Sequence, residues 1–444
     1  MSSELLAPLD LAFWHLESAE HPMHLGALAH FEPLPGTDGG QILELLARRA
    51  AAIPRLRMCV RGVWLPVGGA AWVADKDFDV RRHVRRVPLP AGDFHAEAAR
   101  TAGELMERPL ERGLPPWRMY VLTSEEDRAF AVLVKLHHAL ADGMRAVAIG
   151  AGILDQLAGP STRRRRPVPP RSWLPGPRQV AGFARDRVNE LTRAVGIGAS
   201  VMRASRLELG AGSALAADSS GTRRLATAVL DHDDVQRVRR AEGGTANDVL
   251  LAVVAGGLRR WLLERDSALP GAQPRALVPV SRRRPGAPPG SGNKLSAYLL
   301  GLPVAEPDPL ARLALVRTAM DRNKAAGPGR GAGAVALLAD QLPPLAHRFG
   351  APLAGNAARL LFDLLVTSVP LPRSQLSLGG CPLRAIYPMA PLARGQSLAI
   401  ALSTYGGRVH IGLVADGKAV PDLDRLAACF GQDLAELLKA SAAR

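Results

Sequence analysis

Between Gly159 and Arg178 the chain reads GPSTRRRRPVPPRSWLPGPR, a stretch through which no helix or strand can continue. Its prolines remove main-chain donors and clash with a preceding helical turn, and its four successive arginines repel one another. The break divides the 444 residues into an N-terminal domain over 1–158, a crossover segment over 159–224 and a C-terminal domain over 225–444. Both flanking parts are long enough to bury a core, and a 47% hydrophobic composition supplies the material. Inside the crossover, Val180, Ala184, Val188, Leu191, Val195, Gly198 and Met202 recur at steps of three and four. That is the period of an amphipathic helix, whose apolar stripe docks on the protein's own core or lies on a membrane surface. The polar string AADSSGTRR (216–224) closes the segment.

The formal net charge of +15 comes almost wholly from arginine, because only six lysines are present. It admits three readings. Nucleic acid is disfavoured, since aromatic residues make up 4% and no zinc-finger spacing, RNP-like string or basic heptad array occurs. An anionic membrane surface or a phosphorylated substrate such as coenzyme A fits better, because part of the charge is concentrated in the break. A coding bias towards Ala, Arg, Gly and Pro, giving a solvated arginine surface, accounts for much of the excess. Cys59, Cys381 and Cys429 are odd in number and lack a C-x-x-C spacing, which points away from a disulfide framework or a zinc site and towards a reducing cytoplasm. The start, MSSELLAPLDLAFW, has no signal-peptide pattern, and no run of 18 apolar residues appears. A cytoplasmic protein is expected, with peripheral membrane contact open.

Both halves mix strands and helices, an α/β pattern. AFAVLVKL (129–136) is a short, nearly unbroken apolar run that reads as a buried strand, with RMYVLT (118–123) as its hairpin partner. After Asp142 the period becomes helical and places Met144, Val147, Ala148, Ala151 and Leu154 on one face. TANDVLLAVVAGGLRRWLLE (245–264) predicts a helix opened by a Thr or Asn cap, and ALVPVS (276–281) a strand. SLAIALSTYGGRVHIGLVAD (397–416) predicts two strands about a Gly-Gly turn, followed by a helix from about Leu423.

The most informative string is HHALADG (137–143), placed where a buried strand ends and a helix begins. Strand ends hold side chains rigidly while facing them into clefts. Imidazole has an ordinary pKa of about 6.5, so a neutral histidine there can take a proton from a hydroxyl and return it to a leaving group. Asp142 stands in the first turn of the helix, where the dipole favours a carboxylate, and Gly143 permits close packing or an unusual backbone angle. Competing readings are a metal site, a satisfied core histidine and a Ser-His-Asp hydrolase. Neighbouring strand residues face opposite ways and no further ligand lies nearby, so no metal is expected; no G-x-S-x-G elbow occurs either.

The strings follow one another in a recognisable order. PLDLAFWHLE (8–17), PMHLG (22–26) and Phe31-Glu32 come first, then PRLR (54–57), Trp72-Val73, DFD (77–79), His83 and Pro109-Leu110 before Trp117. HHALADG follows, then Asn247-Asp248, VPVS (278–281), Gly292-Asn293 and finally Tyr387, Pro388, Pro391, Leu392 and Gly395. This order resembles the bacterial wax ester synthase/diacylglycerol acyltransferases of the coenzyme A-dependent acyltransferase superfamily, over nearly the whole chain. The resemblance implies a two-domain, chloramphenicol-acetyltransferase-like α/β fold with mixed sheets and an inter-domain active-site tunnel. It implies His138 as general base, Asp142 as an orienting residue and His137 as support. Asn247 and Asp248 would approach the tunnel from the C-terminal domain or cap a helix.

The implied reaction is O-acyl transfer from acyl-CoA, a co-substrate, to diacylglycerol or a long-chain alcohol, with no cofactor, metal or covalent acyl-enzyme. His138 must then lie about 3 Å from the acceptor hydroxyl. Candidate oxyanion donors or substrate-binding groups are Asn293, Asn247, Asp248 and Gly143. Expected partners are acyl-CoA, the acceptor lipid and the inner face of an anionic membrane or a lipid body. Alternatives are a condensation-type enzyme using a carrier-protein thioester and a non-catalytic lipid-binding relative. Three departures from the family pattern stand out: PPWR (115–118) for Pro-Leu-Trp-Glu, MRA (144–146) where a small hydroxyl residue is usual, and SVPLP (368–372) for Asn-Val-Pro-Gly-Pro. The last loses an amide donor and a flexible glycine, which bears on substrate choice.

Overall fold

The computed structural model describes residues 4–64, 67–124, 129–157, 215, 217–265, 269, 273–281, 295–326 and 361–443. The arginine-proline break, the expected amphipathic helix over 180–202 and Asn293 lie outside the described residues. The first half supplies β1 (Glu4–Leu5), α1 (Pro8–Leu16), β2 (His24–Phe31), α2 (Gly39–Ala51), β3 (Met58–Gly62) and β4 (Ala70–Ala74). It continues with β5 (Val84–Pro88), α3 (Phe94–Glu107), β6 (Trp117–Thr123), β7 (Phe130–His137), α4 (Gly143–Ile153) and β8 (Asp155–Leu157). The second half begins with β9 (Arg223–Asp231), α5 (His232–Glu242), α6 (Ala246–Glu264), β10 (Arg275–Ser281), β11 (Leu295–Gly301) and α7 (Pro309–Ala326). It ends with β12 (Leu364–Pro370), β13 (Gln375–Leu378), β14 (Cys381–Met389), β15 (Leu398–Tyr405), β16 (Arg408–Asp416) and α8 (Leu423–Ala442).

Two mixed sheets form the frame. The first has the order β5-β6-β7-β2-β14-β13-β8, the second β11-β10-β12-β15-β16-β9, and β1-β4-β3 make a small third sheet. The hairpin of β6 and β7 pairs Trp117 with Leu136 and Thr123 with Phe130. Residues of β7 alternate between two cores: Phe130, Val132 and Leu136 join one cluster, while Ala131 and Leu133 join another beneath α3. Burial on both faces is the physical reason for its unbroken apolar run. At the far end of the chain β15 and β16 pair across Gly406 and Gly407, whose φ angles of 57° and 74° suit the tight turn.

Residues beyond 225 are not confined to one sheet. Strands β13 and β14 return to the first sheet, where β14 pairs with β2 from Leu383–Phe31 to Met389–Gly26, and β13 pairs with β8. Local sequence says nothing of such a crossing, because pairing is decided by which edge lies open once β2 and β7 have joined. The two sheets meet where β14 passes over β16. Close approach there depends on Gly412, since a Cβ at that position would sit 2.0 Å from the Pro388 carbonyl oxygen. The space left beside this crossing is the cavity described next. Among the described residues, no helix is long and apolar enough to cross a membrane.

Candidate active site

A cavity of about 410 Å³ lies between the two sheets, walled by β2 and β7 from one, β12 and β15 from the other, and α4. Its lining is almost wholly aliphatic; the polar side chains that reach it are His138, Asp142, Thr367, Ser368 and Ser403. Volume and character suit an apolar ligand gripped at one polar point. The helical face read from the sequence is divided between solvent and the cavity. Met144 and Ala148 are exposed, Ile149 and Ile153 are buried instead, and Met144, Val147, Ala151 and Leu154 line the cavity.

His138 is the first residue after β7, and its main-chain N–H donates to the Met23 carbonyl at 2.8 Å. Its ring stacks on Phe13 of α1, centroids 4.0 Å apart and planes 24° from parallel. Burial pushes the His138 pKa down to about 4, the neighbouring His137 adds to the fall, and an interaction with its own main chain and the Asp142 charge oppose it. The ring is therefore neutral at physiological pH. Nδ1 is sealed from solvent, so Nε2 is the ring nitrogen left for a ligand. Asp142 caps α4, its carboxylate accepting from the Arg145 N–H at 2.8 Å, and Arg145 reaches Asp10 of α1 at 4.0 Å. Gly143 has no left-handed backbone, and a Cβ there would meet nothing nearer than a Val369 methyl at 3.8 Å. Its lack of a side chain keeps open space in the cavity and is not required by the backbone.

His137 faces the other way, as alternation requires. It is fully buried, its Nδ1 accepts from the Ala139 N–H at 2.9 Å, and its Nε2 lies 3.4 Å from Glu17 Oε1. Accepting at Nδ1 leaves the proton on Nε2, the ring nitrogen on the side of that carboxylate. His24 Nε2 lies 3.2 Å from the same oxygen, and Arg112 binds Glu17 Oε2 at 2.8 Å while stacking 3.9 Å above the Trp14 ring. Burial disfavours the charged form of Glu17, but hydrogen bonding and charge from His137 and His24 outweigh it and hold the carboxyl well below the usual range. Glu17 thus ties α1 to β2 and to the histidine turn.

The sequence model of the wax ester synthase/diacylglycerol acyltransferase catalytic domain matches residues 6–250, and that of the associated C-terminal domain matches 291–438. A probable diacylglycerol O-acyltransferase of Mycobacterium tuberculosis, tgs1, is 31% identical over 99% of this chain and 96% of its own. The chain belongs to the wax ester synthase/diacylglycerol acyltransferase family. The fold agrees with that of the wax ester synthase/diacylglycerol acyltransferase from Marinobacter aquaeolei, with a TM-score of 0.72 at 24% identity over 99% of this chain and 100% of the other. It is also similar to a trichothecene 15-O-acetyltransferase from Fusarium sporotrichioides, with a TM-score of 0.62 at 12% identity over 98% and 94% of the two chains.

Not every family motif meets in this member's cavity. Of HHALADG, His138, Asp142 and Gly143 line it, whereas Asn247 and Asp248 do not. Thr245 caps α6 and Asp248 closes a capping box with it, the Asp248 Oδ2 accepting from the Thr245 N–H at 2.8 Å and hydroxyl at 2.7 Å. The departures fall in two places. Trp117 is buried with its indole N–H on the Leu56 carbonyl, while Arg118 reaches outward to Arg82 and Glu111. SVPLP lies wholly on the cavity wall, Val369 opposite Gly143. Phe13, Glu17 and Thr367 were given no role from sequence. The available signal for the first two was the string PLDLAFWHLE, in which Phe13 and Glu17 stand about one helical turn apart.

Proposed function

We propose that the protein transfers a long-chain acyl group from an acyl-CoA thioester to the hydroxyl of diacylglycerol or a long-chain alcohol, with His138 as general base. One observation carries the reading: a neutral histidine, fixed through its main chain and by a stacked phenylalanine, is the titratable base presented to a long aliphatic cavity. His138 Nε2 takes the acceptor proton as the hydroxyl oxygen attacks the thioester carbon. The tetrahedral oxyanion needs a donor. The second sheet presents Thr367, Ser368 and Ser403, and the Ser403 hydroxyl already donates to the Ile386 carbonyl at 3.0 Å, which leaves Thr367 and Ser368 as the candidates. Collapse breaks the carbon–sulfur bond, and the imidazolium returns its proton to the coenzyme A thiolate. Asp142 holds the start of α4 and favours the imidazolium by its charge; His137 and Glu17 hold the turn. The net charge of +15 and the arginine-proline break support action at an anionic membrane or lipid-body surface.

The test offers palmitoyl-CoA with hexadecanol and, in parallel, a diacylglycerol to the purified protein, with His138→Ala as control. Ester formed only by the wild type is expected. Thiol release without ester, or equal ester from the variant, overturns the proposal.

A further inference from the structure

The cavity has a floor and a roof whose lengths follow from their secondary structure. Its floor is built from cross-strand pairs on one face of β2 and β7: Leu25 with Leu136, Ala27 with Val134 and Ala29 with Val132. His138, bonded to Met23, stands just past the first pair. The ladder stops at Phe31, which lines the cavity and stacks on Phe130 with centroids 5.2 Å apart and planes 5° from parallel. From Leu25 to Phe31 an extended strand advances about 20 Å. The roof, α4 from Gly143 to Leu154, advances about 16 Å. An all-trans alkyl chain, with C–C bonds of about 1.5 Å at near-tetrahedral angles, advances about 1.25 Å per bond. The two measures correspond to about 13 to 16 carbon–carbon bonds.

Resting on the acyl-transfer reading above, we propose that this slot is a length gauge for one unbranched alkyl chain of about 14 to 17 carbons, its reacting end at His138. The stacked Phe31–Phe130 pair is the stop. Ala29 on the floor and Ala151 on the roof are the small residues that keep the distal part open. A leucine at either position fills that part, so a long chain must bend or leave methylenes in water, at about fourfold in affinity for each methylene.

The experiment supplies Ala29→Leu, Ala151→Leu and wild type with a mixture of octanoyl-, dodecanoyl- and hexadecanoyl-CoA against one acceptor, then with one donor against the matching alcohols. Ala151 is accessible while Ala29 is packed, so the second variant guards against misfolding of the first. The expected result is a fall of about tenfold or more in the hexadecanoyl-to-octanoyl product ratio for both variants. A shift in the alcohol series instead assigns the same gauge to the acceptor chain. Ester formation with neither series shifted overturns the gauge. If wild type forms no ester, the reaction reading fails and the gauge is judged by calorimetry with dodecanoic and hexadecanoic acids, where an unchanged preference in both variants overturns it.

Discussion

Asp142 before α4 and Asp248 in the first turn of α6 are alike in several ways: each is a buried aspartate at a helix start, within a string that resembles a family motif. Their surroundings separate them. Asp142 reaches the cavity beside a histidine, whereas Asp248 is turned back onto Thr245 and away from the cavity. Capping is therefore common to both positions, and only the neighbour decides whether the capped turn also does chemistry. A helix-start aspartate in sequence is evidence of a helix start and, alone, of nothing more.

The largest expected effect comes from His138→Ala, which should lower kcat by about 10²- to 10⁴-fold with little change in thermal midpoint. Asp142→Ala removes a cap, costing about 0.5–2 kcal/mol, and should also lower kcat beyond the loss of folded protein. Asp248→Ala costs a similar amount in stability, but its activity should track the folded fraction; activity lost from fully folded Asp248→Ala protein would erase the distinction between the two turns. His137→Ala should act mainly through stability, because it breaks the bond to Ala139 and leaves Glu17 with one histidine fewer.

Acid offers a finer probe, since the buried histidines of the first half and Asp433 of the second respond with opposite signs. Burial pushes His24 and His138 down to about 4 and His30 to about 3, so the unfolded chain takes up their protons first as pH falls below about 6.5. Their contribution is complete above that value and is lost as pH falls towards 4. In the second half, burial raises the Asp433 pKa to about 6 although Arg312 lies 2.6 Å away, so protonation between about 6 and 3.8 favours the folded state. Hydrogen exchange at pH 5 against pH 7 should show amides of β2 and β7 opening faster while those under α8 change less. Uniform acceleration would contradict the contrast.

Elements whose signals are local were legible in the sequence: the β6–β7 and β15–β16 hairpins, the Thr245 cap and the strand-to-helix turn at HHALADG. The family order named the fold. What escaped depends on distant parts of the chain. Nothing in CPLRAIYPM says that it joins a strand 350 residues earlier, and Glu17 acquires importance only when His24, Arg112 and His137 converge on it. The apolar face after Asp142 was visible, yet periodicity cannot tell a face that packs on protein from one that faces an alkyl chain.

The return of β14 also bears on how the protein is made. Phe31 pairs with Leu383, so at roughly 5–20 residues per second a ribosome works for about 20 to 70 s before the second partner of β2 exists. Throughout that interval the emerging chain presents an apolar strand edge and half of an oily slot to solvent. Shielding by a chaperone, or early adsorption to a membrane surface, would protect it, and yields on overexpression should respond to translation speed more than to the stability of the finished protein.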